Sequence, residues 1–230
     1  MSQLKPKAGK VFIGQKHKRG VRGDRSAKRE DCLCVDVTTA SRLQLGPQKR
    51  TAAVFSPMRL GPYVDTQSGL VASNLEDGWQ GGKMWPTAGH IGADGQPTEA
   101  WFTFRRKVYA SGKAKRRPLP KRRYGLPTSS FYEGRVHGYV ESRKAIYVPR
   151  YAALVRQLPE FEYLKRAVDE GTEVLILDKD APDKTAWPGG REMTPATWDE
   201  DINDASRPFG HGYVVAALLR GDIRMEPVTE

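Results

Sequence analysis

The chain has 230 residues, with 38 Lys and Arg against 27 Asp and Glu, which give it a formal net charge of +11 and a pI near 9.7. This length allows one substantial hydrophobic core, and the lack of any long uninterrupted apolar run argues against a transmembrane helix. Because no apolar segment follows the charged start of the chain, we expect no secretory signal and a cytoplasmic protein.

Basic residues are concentrated in two segments. Residues 1–30 combine many Lys and Arg with interleaved glycines and few apolar residues, which predicts a flexible basic arm. Residues 105–123 contain no acidic residue, and Pro118 and Pro120 rule out a continuous helix, which predicts a projecting basic loop. The cations expected to bind nucleic acid are Lys113, Lys115, Arg116, Arg117, Lys121, Arg122 and Arg123.

The predicted elements between and after these segments indicate a globular body. Val35, Val37 and residues 53–55 have strand character, whereas residues 150–170 have helical spacing that Pro159 interrupts and Gly171 ends. A buried strand is predicted at residues 174–177 and a final helix at residues 212–220. Helices outnumber strands without βαβ alternation, which favours an α+β, mainly helical single domain with a few short strands over residues 31–230.

The cysteines and histidines do not form a recognisable metal site. Cys32 and Cys34 are separated by one residue, and such close neighbours rarely form a disulfide, so they are expected to be free thiols in a reducing compartment. The four histidines are scattered without metal-ligand spacing. Residues 178–180 lack the glycine of a calcium-binding loop. We therefore predict neither a metal nor a cofactor.

The most informative segment is residues 73–85, which read SNLEDGWQGGKMW. Ser73 with Glu76 three residues later matches a capping box and predicts a helix start. Glu76, Gln80 and Lys83 then lie at i, i+4 and i+7, on one face of that helix. This arrangement favours a site with a carboxylate, an amide and an ammonium group. The alternative is that Glu76 serves only the cap and Lys83 is a solvated ion-pair partner of a nearby carboxylate.

The same segment contains Gly78, Gly81 and Gly82. Each glycine disfavours a helix by about 1 kcal/mol relative to alanine. A helix that keeps three of them is expected to be approached closely by another backbone or by a ligand.

The spacing of this segment resembles a known family signature. Glu76-x-x-Trp79-Gln80-x-x-Lys83 is similar to the E-x-x-aromatic-Q-x-x-K signature of the NADAR (YbiA-like) family, and Ser73-Asn74 resembles the family's Ser-Asn element. Further similar elements are Leu177-Asp178 with Asp183, Trp187 and Gly189, and the glycine-rich turn at residues 209–212. The similarity covers roughly residues 55–220 and departs from the family at Asp77, Asp178 and the basic segment.

The resemblance implies a YbiA-like fold and an N-glycosidase activity. Family members hydrolyse N-ribosyl bonds in intermediates of the riboflavin pathway, and some remove ADP-ribose from guanine in DNA. It implies catalytic roles for Glu76, Lys83 and Asp183. The substrate-binding residues that it implies are Ser73, Asn74, Trp79, Gln80, Trp187, Gly189 and His211. Asp183 as a turn residue, and His211 as a structural donor at a helix start, are the alternatives.

Three functions remain to be compared. The first is an N-glycosidase, or a related base-modifying transferase, acting on a nucleotide or on a modified base in DNA such as ADP-ribosyl-guanine. The second is a non-catalytic basic protein that binds nucleic acid. The third is hydrolysis of a riboflavin intermediate, which would make the basic segments incidental. The cationic segments favour a polyanionic substrate and therefore the first function.

Overall fold

The structure is a computed structural model that describes residues 8–16, 26–66, 68–116 and 118–223. Within these residues the fold is α+β. The strands are β1 (Val11–Gln15), β2 (Leu33–Asp36), β3 (Gln44–Leu45), β4 (Arg50–Thr51), β5 (Tyr63–Val64), β6 (Val71–Ala72), β7 (Lys83–Met84), β8 (Ser129–Tyr132), β9 (Arg135–His137), β10 (Val174–Asp178) and β11 (Arg191–Glu192). The helices are α1 (Leu75–Gly81), α2 (Glu99–Ala110), α3 (Lys121–Tyr124), α4 (Tyr139–Ser142), α5 (Val148–Val155), α6 (Pro159–Asp169), α7 (Pro195–Asn203) and α8 (His211–Arg220).

The chain divides into two compact units. In the described residues, the first unit contains residues 8–16, 26–56 and 151–223, and the second contains residues 57–66, 68–116 and 118–150. No change of composition marks the division, and its later boundary falls inside α5, where the helical pattern is continuous.

A four-stranded sheet of order β11-β1-β10-β2 forms the core of the first unit. β1 and β2 both pair with β10 in parallel, with Val11 and Leu33 opposite Val174, and β11 pairs with β1 in the antiparallel direction. All five residues of β10 are buried, as the sequence predicted for residues 174–177. A strand with neighbours on both sides and both faces covered requires this continuous apolar run.

The structure corrects the predicted flexible arm. Residues 11–15 form β1, whose first four residues are buried between β10 and β11. Ala27, also in the predicted arm, is buried and donates its amide to the Gln15 carbonyl at 2.9 Å. The apolar run at residues 11–13 is short and lies between Lys10 and Lys16, so the basic composition of the segment does not indicate a buried strand. The rest of the predicted arm, residues 1–7 and 17–25, lies outside the described residues.

The helices of the first unit follow the sequence pattern closely. Pro159 occupies the first turn of α6, so it separates α5 from α6 as predicted. Gly171 follows α6 with a φ of +101°, a conformation that favours glycine. The predicted final helix is confirmed as α8, in which residues 212–219 are all buried. The predicted strand at residues 53–55 is wrong, because Ala52–Phe55 forms a 3-10 helix.

The second unit combines the antiparallel sheet β7-β8-β9, the hairpin β5-β6 and the packed helices α1 and α2. The predicted projecting loop at residues 105–123 is only partly a loop. Residues 105–110 continue α2 and residues 121–124 form α3, which leaves residues 111–120 as the connection. α2 ends at Ala110, before both prolines, and Pro120 directly precedes α3, so the first and the last basic residues of the segment lie in helices.

Three tyrosine rings cover the three glycines of the α1 segment. Tyr63 lies against Gly78, Tyr109 against Gly81 and Tyr132 against Gly82. A Cβ atom on Gly81 would be 2.5 Å from Cε1 of Tyr109, and a Cβ on either other glycine would be closer still to its tyrosine. The expectation of a neighbouring backbone or ligand is therefore wrong: the glycines make room for aromatic side chains of the protein itself.

We expect the Gly82→Ala variant to be destabilised by about 1–3 kcal/mol, because the new methyl group would overlap the Tyr132 ring in a packed core. Urea unfolding of the purified protein measures this change. Gly138→Ala is the matched control, since a Cβ at Gly138 meets no atom within 4 Å. Equal unfolding midpoints for the two variants would contradict the packing argument.

Candidate active site around Glu76

Asn74 caps α1, one residue later than the sequence predicted. Its Oδ1 accepts a hydrogen bond from the Asp77 amide at 2.8 Å, and its Nδ2 donates to Oδ2 of Asp77 at 2.9 Å. Ser73 supports this cap by accepting a hydrogen bond from Nδ2 of Asn74 at 3.1 Å. The predicted Ser73–Glu76 capping box is therefore wrong, and so is the alternative that Glu76 serves only as a capping carboxylate.

Glu76 is buried, with 6% of its surface exposed. Gln80, one turn further along α1, donates a hydrogen bond from Nε2 to Oε1 of Glu76 at 2.9 Å. Among the described residues, no donor bonds to the other carboxylate oxygen, Oε2. The structure thus brings together the predicted carboxylate and amide, and Gln80 fixes the orientation of the carboxylate.

Tyr132 adds a second polar group near this carboxylate. Its hydroxyl donates to the Trp79 carbonyl at 2.5 Å. Burial raises the pKa of Tyr132 well above its ordinary value, and the negative charge of Glu76 acts in the same direction. Tyr132 therefore stays protonated at neutral pH and acts as a hydrogen-bond donor.

Lys83 and Trp79 contact each other, but not as two residues of one helix. α1 ends at Gly81, and Lys83 lies in β7, so the predicted i, i+7 face does not exist. Nζ of Lys83 is 5.0 Å from the Trp79 ring centroid, a cation–π contact. Trp79 is 8% exposed and stacks on Tyr132 with an interplanar angle of 4°. Trp79 is thus a buried side chain packed against Tyr132.

Arg105 belongs to the interior of the second unit despite its place in the basic segment. It forms an ion pair with Asp65, and both side chains are at least 96% buried. The guanidinium carbon is 5.0 Å from the Trp101 ring centroid and 5.1 Å from that of Tyr109. The pair ties α2 to the residue that follows β5, and it removes Arg105 from any surface that binds nucleic acid.

The rest of the basic segment is attached to the helix that carries Glu76. The Lys115 amide donates to Oδ1 of Asp77 at 3.4 Å. Because Asp77 also closes the helix cap, one carboxylate joins the cap of α1 to the cationic connection. The predicted cations with exposed residues are Lys113, Lys115, Arg116, Lys121, Arg122 and Arg123. Arg117 lies outside the described residues.

Asp183, Trp187 and Gly189 lie in the first unit, whereas Glu76, Gln80 and Lys83 lie in the second. Asp183 is exposed, and its Oδ1 accepts hydrogen bonds from the amide and the hydroxyl of Thr185, at 2.7 and 2.8 Å. This geometry fits the turn interpretation of Asp183. Trp187 is 44% exposed, and the Arg191 guanidinium carbon lies 5.6 Å from its ring centroid.

His211, at the start of α8, is held on both sides of its ring. Nε2 donates to the Val37 carbonyl at 2.9 Å, and Nδ1 lies 3.3 Å from Oδ2 of Asp178. The same Asp178 oxygen accepts a hydrogen bond from the Gly212 amide at 2.8 Å. Asp178 thus caps α8, and His211 joins that cap to the end of β2. These contacts fit the structural alternative for His211.

The residues after Lys83 form an aromatic cluster that sequence analysis did not find. The Trp85 and His90 rings lie 6.0 Å apart, and Phe104 of α2 is 5.5 Å from Trp85 and 4.8 Å from His90. No periodic pattern signals this cluster, because two of its members lie in an irregular loop. His90 is 3% exposed, and burial lowers its pKa, so the folded protein holds the neutral imidazole.

The comparisons with known proteins give no relative. No family model matches the sequence, and no curated protein or solved structure matches it. In the part of the chain that the structure describes, no group of three or more His, Cys, Asp or Glu side chains could hold a metal ion. None of the described helices combines the length and hydropathy needed to cross a bilayer.

The burial of His90 predicts a loss of stability in acid. Its pKa is lower in the folded than in the unfolded chain, so stability is full above the unfolded value of about 6.5 and decreases as the pH falls below it. We expect His90→Phe to lessen the fall in unfolding free energy between about pH 7.5 and 5. Urea titrations at a series of pH values measure the unfolding free energy of the variant and of the wild type. Parallel curves for variant and wild type would show that His90 does not contribute.

Proposed function

We propose that the protein is an N-glycosidase of YbiA-like type that acts on a nucleotide or on a modified base in DNA, such as ADP-ribosyl-guanine. The observation that carries the proposal is the buried carboxylate of Glu76, which Gln80 orients and which the helix cap does not use. The resemblance of the Glu76–Lys83 spacing to the NADAR signature supports this choice of reaction. The free thiols of Cys32 and Cys34 support a cytoplasmic location as part of the proposal.

The chemistry requires a negative group close to the sugar. When the bond between C1′ and the base nitrogen breaks, positive charge develops on the sugar. A water molecule then forms the new bond to C1′, and in the overall reaction the proton that this water loses is balanced by a proton gained by the departing base. A preoriented carboxylate in a buried setting stabilises that charge more strongly than it would in water. In Glu76, Oε1 is bound by Gln80, so Oε2 is the atom that would face the sugar or orient the water. If the sugar were transferred to an acceptor other than water, the same positive charge would develop on the sugar, so Glu76 would have the same role.

The ammonium group of Lys83 has a complementary task in the proposal. Breaking the glycosidic bond leaves negative charge on the departing base, and the substrate carries phosphate groups. Lys83 lies in β7, which begins two residues after α1 ends, so it follows Glu76 closely in sequence. Its position over Trp79 holds the ammonium group where it could bind a phosphate or the departing base.

The attachment of the basic segment to α1 supports a nucleic-acid substrate over a small metabolite. Asp77, the residue after Glu76, accepts a hydrogen bond from the Lys115 amide. The exposed cations around Lys115 are therefore held next to the helix that carries the proposed catalytic carboxylate. A polyanion bound by these cations would lie beside α1. The same cations also suit the second candidate function, a basic protein that binds nucleic acid without chemistry.

We expect Glu76→Gln to lower turnover by about 100-fold or more, because the amide cannot stabilise positive charge on the sugar. The urea unfolding midpoint should change little, since the substitution is nearly isosteric and the cap depends on Asn74. Mass spectrometry of products released from ADP-ribosylated DNA, other modified DNA, free nucleotides and riboflavin intermediates measures the activity.

Glu99→Gln is the matched control, because Glu99 is an exposed glutamate of the same unit. Wild-type rates in the Glu76→Gln variant would disprove the role of Glu76. If wild-type protein released no product from any substrate and still bound DNA, the non-catalytic function would replace the proposal.

We also expect the triple substitution of Lys121, Arg122 and Arg123 by Gln to weaken DNA binding and to reduce its salt dependence. Each lost phosphate contact lowers the log–log slope by about 0.9, so three contacts lower it by up to about 3. Salt titrations of binding to a duplex measure the slope. The control removes three exposed cations of the first unit, Lys49, Arg156 and Arg166. Identical slopes for both variants and wild type would mean that the α3 charges serve only solubility.

A further inference from the structure

We infer that Leu126 is a wedge residue that enters the base stack of duplex DNA. This inference rests on the proposed function and narrows its substrate to a base within a duplex. The apolar side chain lies directly after a cationic turn, and the chain on either side of it is held to the β7 region. These three features are those of a side chain that separates bases while its neighbours bind the phosphates.

The first feature is exposure. Leu126 is 61% exposed, more than any other exposed large apolar side chain among the described residues. It lies between Gly125, whose φ is +72°, and Pro127. Glycine permits the sharp change of direction, and proline restricts the backbone that follows. The leucine is therefore presented on a turn whose shape is largely set before any partner binds.

The second feature is charge. Lys121, Arg122 and Arg123 are all exposed and immediately precede the turn. The guanidinium carbon of Arg123 is 5.0 Å from the centroid of the Tyr124 ring, which limits the directions that this side chain can take. An exposed leucine beside three cations suits DNA, in which phosphates flank an apolar base stack.

The third feature is anchoring. On one side of Leu126, the Tyr124 carbonyl accepts a hydrogen bond from the Thr87 hydroxyl at 2.6 Å. On the other side, the Thr128 amide donates to the Met84 carbonyl at 3.1 Å. Met84 and Lys83 form β7, which pairs with β8 through Lys83 and Ser130. The turn is thus fixed to the strand that carries the proposed catalytic lysine.

The three features fit a need of the proposed reaction. An enzyme that acts on a base within a duplex must first extrude that base from the stack. An apolar side chain can lower the cost of extrusion by filling the space that the base leaves. Because the turn is anchored to β7, a base displaced by Leu126 would leave the stack close to the strand that carries Lys83.

The experiment compares Leu126→Ala with Val71→Ala, each made in the full chain together with Glu76→Gln so that no base is cleaved. Val71 is the matched control because it is 54% exposed and belongs to the same unit. The readout is the fluorescence of 2-aminopurine in a DNA duplex, which rises when the base leaves the stack. Equal unfolding midpoints in urea establish that both variants fold.

We expect the Glu76→Gln protein and its Val71→Ala derivative to raise the fluorescence on binding, and the Leu126→Ala derivative to lose most of that rise. In the cleavage-competent background, Leu126→Ala should lower the rate on duplex substrate by about tenfold or more and leave the rate on single strands unchanged. An undiminished rise in Leu126→Ala, or no rise in the Glu76→Gln protein, would overturn the wedge.

The two proposals fail in different ways. The fluorescence assay detects base extrusion without any cleavage, so it stays informative if no glycosidase activity exists. Product release from single strands tests the glycosidase without the wedge. Release from single strands with no fluorescence change on duplex would disprove the wedge alone, and fluorescence change without release from any substrate would disprove the glycosidase alone.

Discussion

The candidate site depends on how closely three tyrosine rings approach α1. This helix has only seven residues, too few to be stable by its own hydrogen bonds. Gly78, Gly81 and Gly82 expose the helical backbone, and Tyr63, Tyr109 and Tyr132 cover it. The stability of α1 therefore comes from packing. Because the tyrosines pack so closely, the polar side chains of α1 are also buried. Buried polar groups need hydrogen-bond partners, so these side chains bond to one another.

Two neighbouring carboxylates of α1 have separate tasks as a result. Both carboxylate oxygens of Asp77 accept hydrogen bonds that stabilise the fold, one from Asn74 and one from the Lys115 amide. Among the described residues, the carboxylate of Glu76 has one hydrogen-bond partner, Gln80. Burying a carboxylate that does little for the fold is unfavourable, so its retention at this position is easier to explain by binding or chemistry than by stability.

The features that were predictable from the sequence are those with local signals. Pro159 ends one helix and begins the next, the apolar run of β10 marks a buried strand, and the polar residues before Leu75 mark the start of α1 to within one position. Features that join distant residues were not predictable. β1 is recognisable only through its pairing with β10, and no pattern in the sequence connects Asp65 with Arg105.

The same limit applied to the site. Spacing alone suggested Glu76 and Gln80, because they are one helical turn apart, and the structure joins them. The helical face was extended wrongly to Lys83, since a helix that ends at Gly81 cannot be distinguished in sequence from one that continues. The burial of Trp79 and the loop partners of Trp85 depend on tertiary contacts, which a single sequence does not contain.

The path of the chain through the two units sets an order of events during synthesis on the ribosome. β1 leaves the ribosome before residues 57–150, whereas both of its neighbours, β10 and β11, are made after them. The sheet and the hairpin of residues 57–150 include no strand from later in the chain. The second unit can therefore pack before β10 and β11, the strands that pair with β1, have been synthesised. Until β10 emerges, the apolar residues of β1 lack the strand that covers them, and such exposed apolar segments promote aggregation.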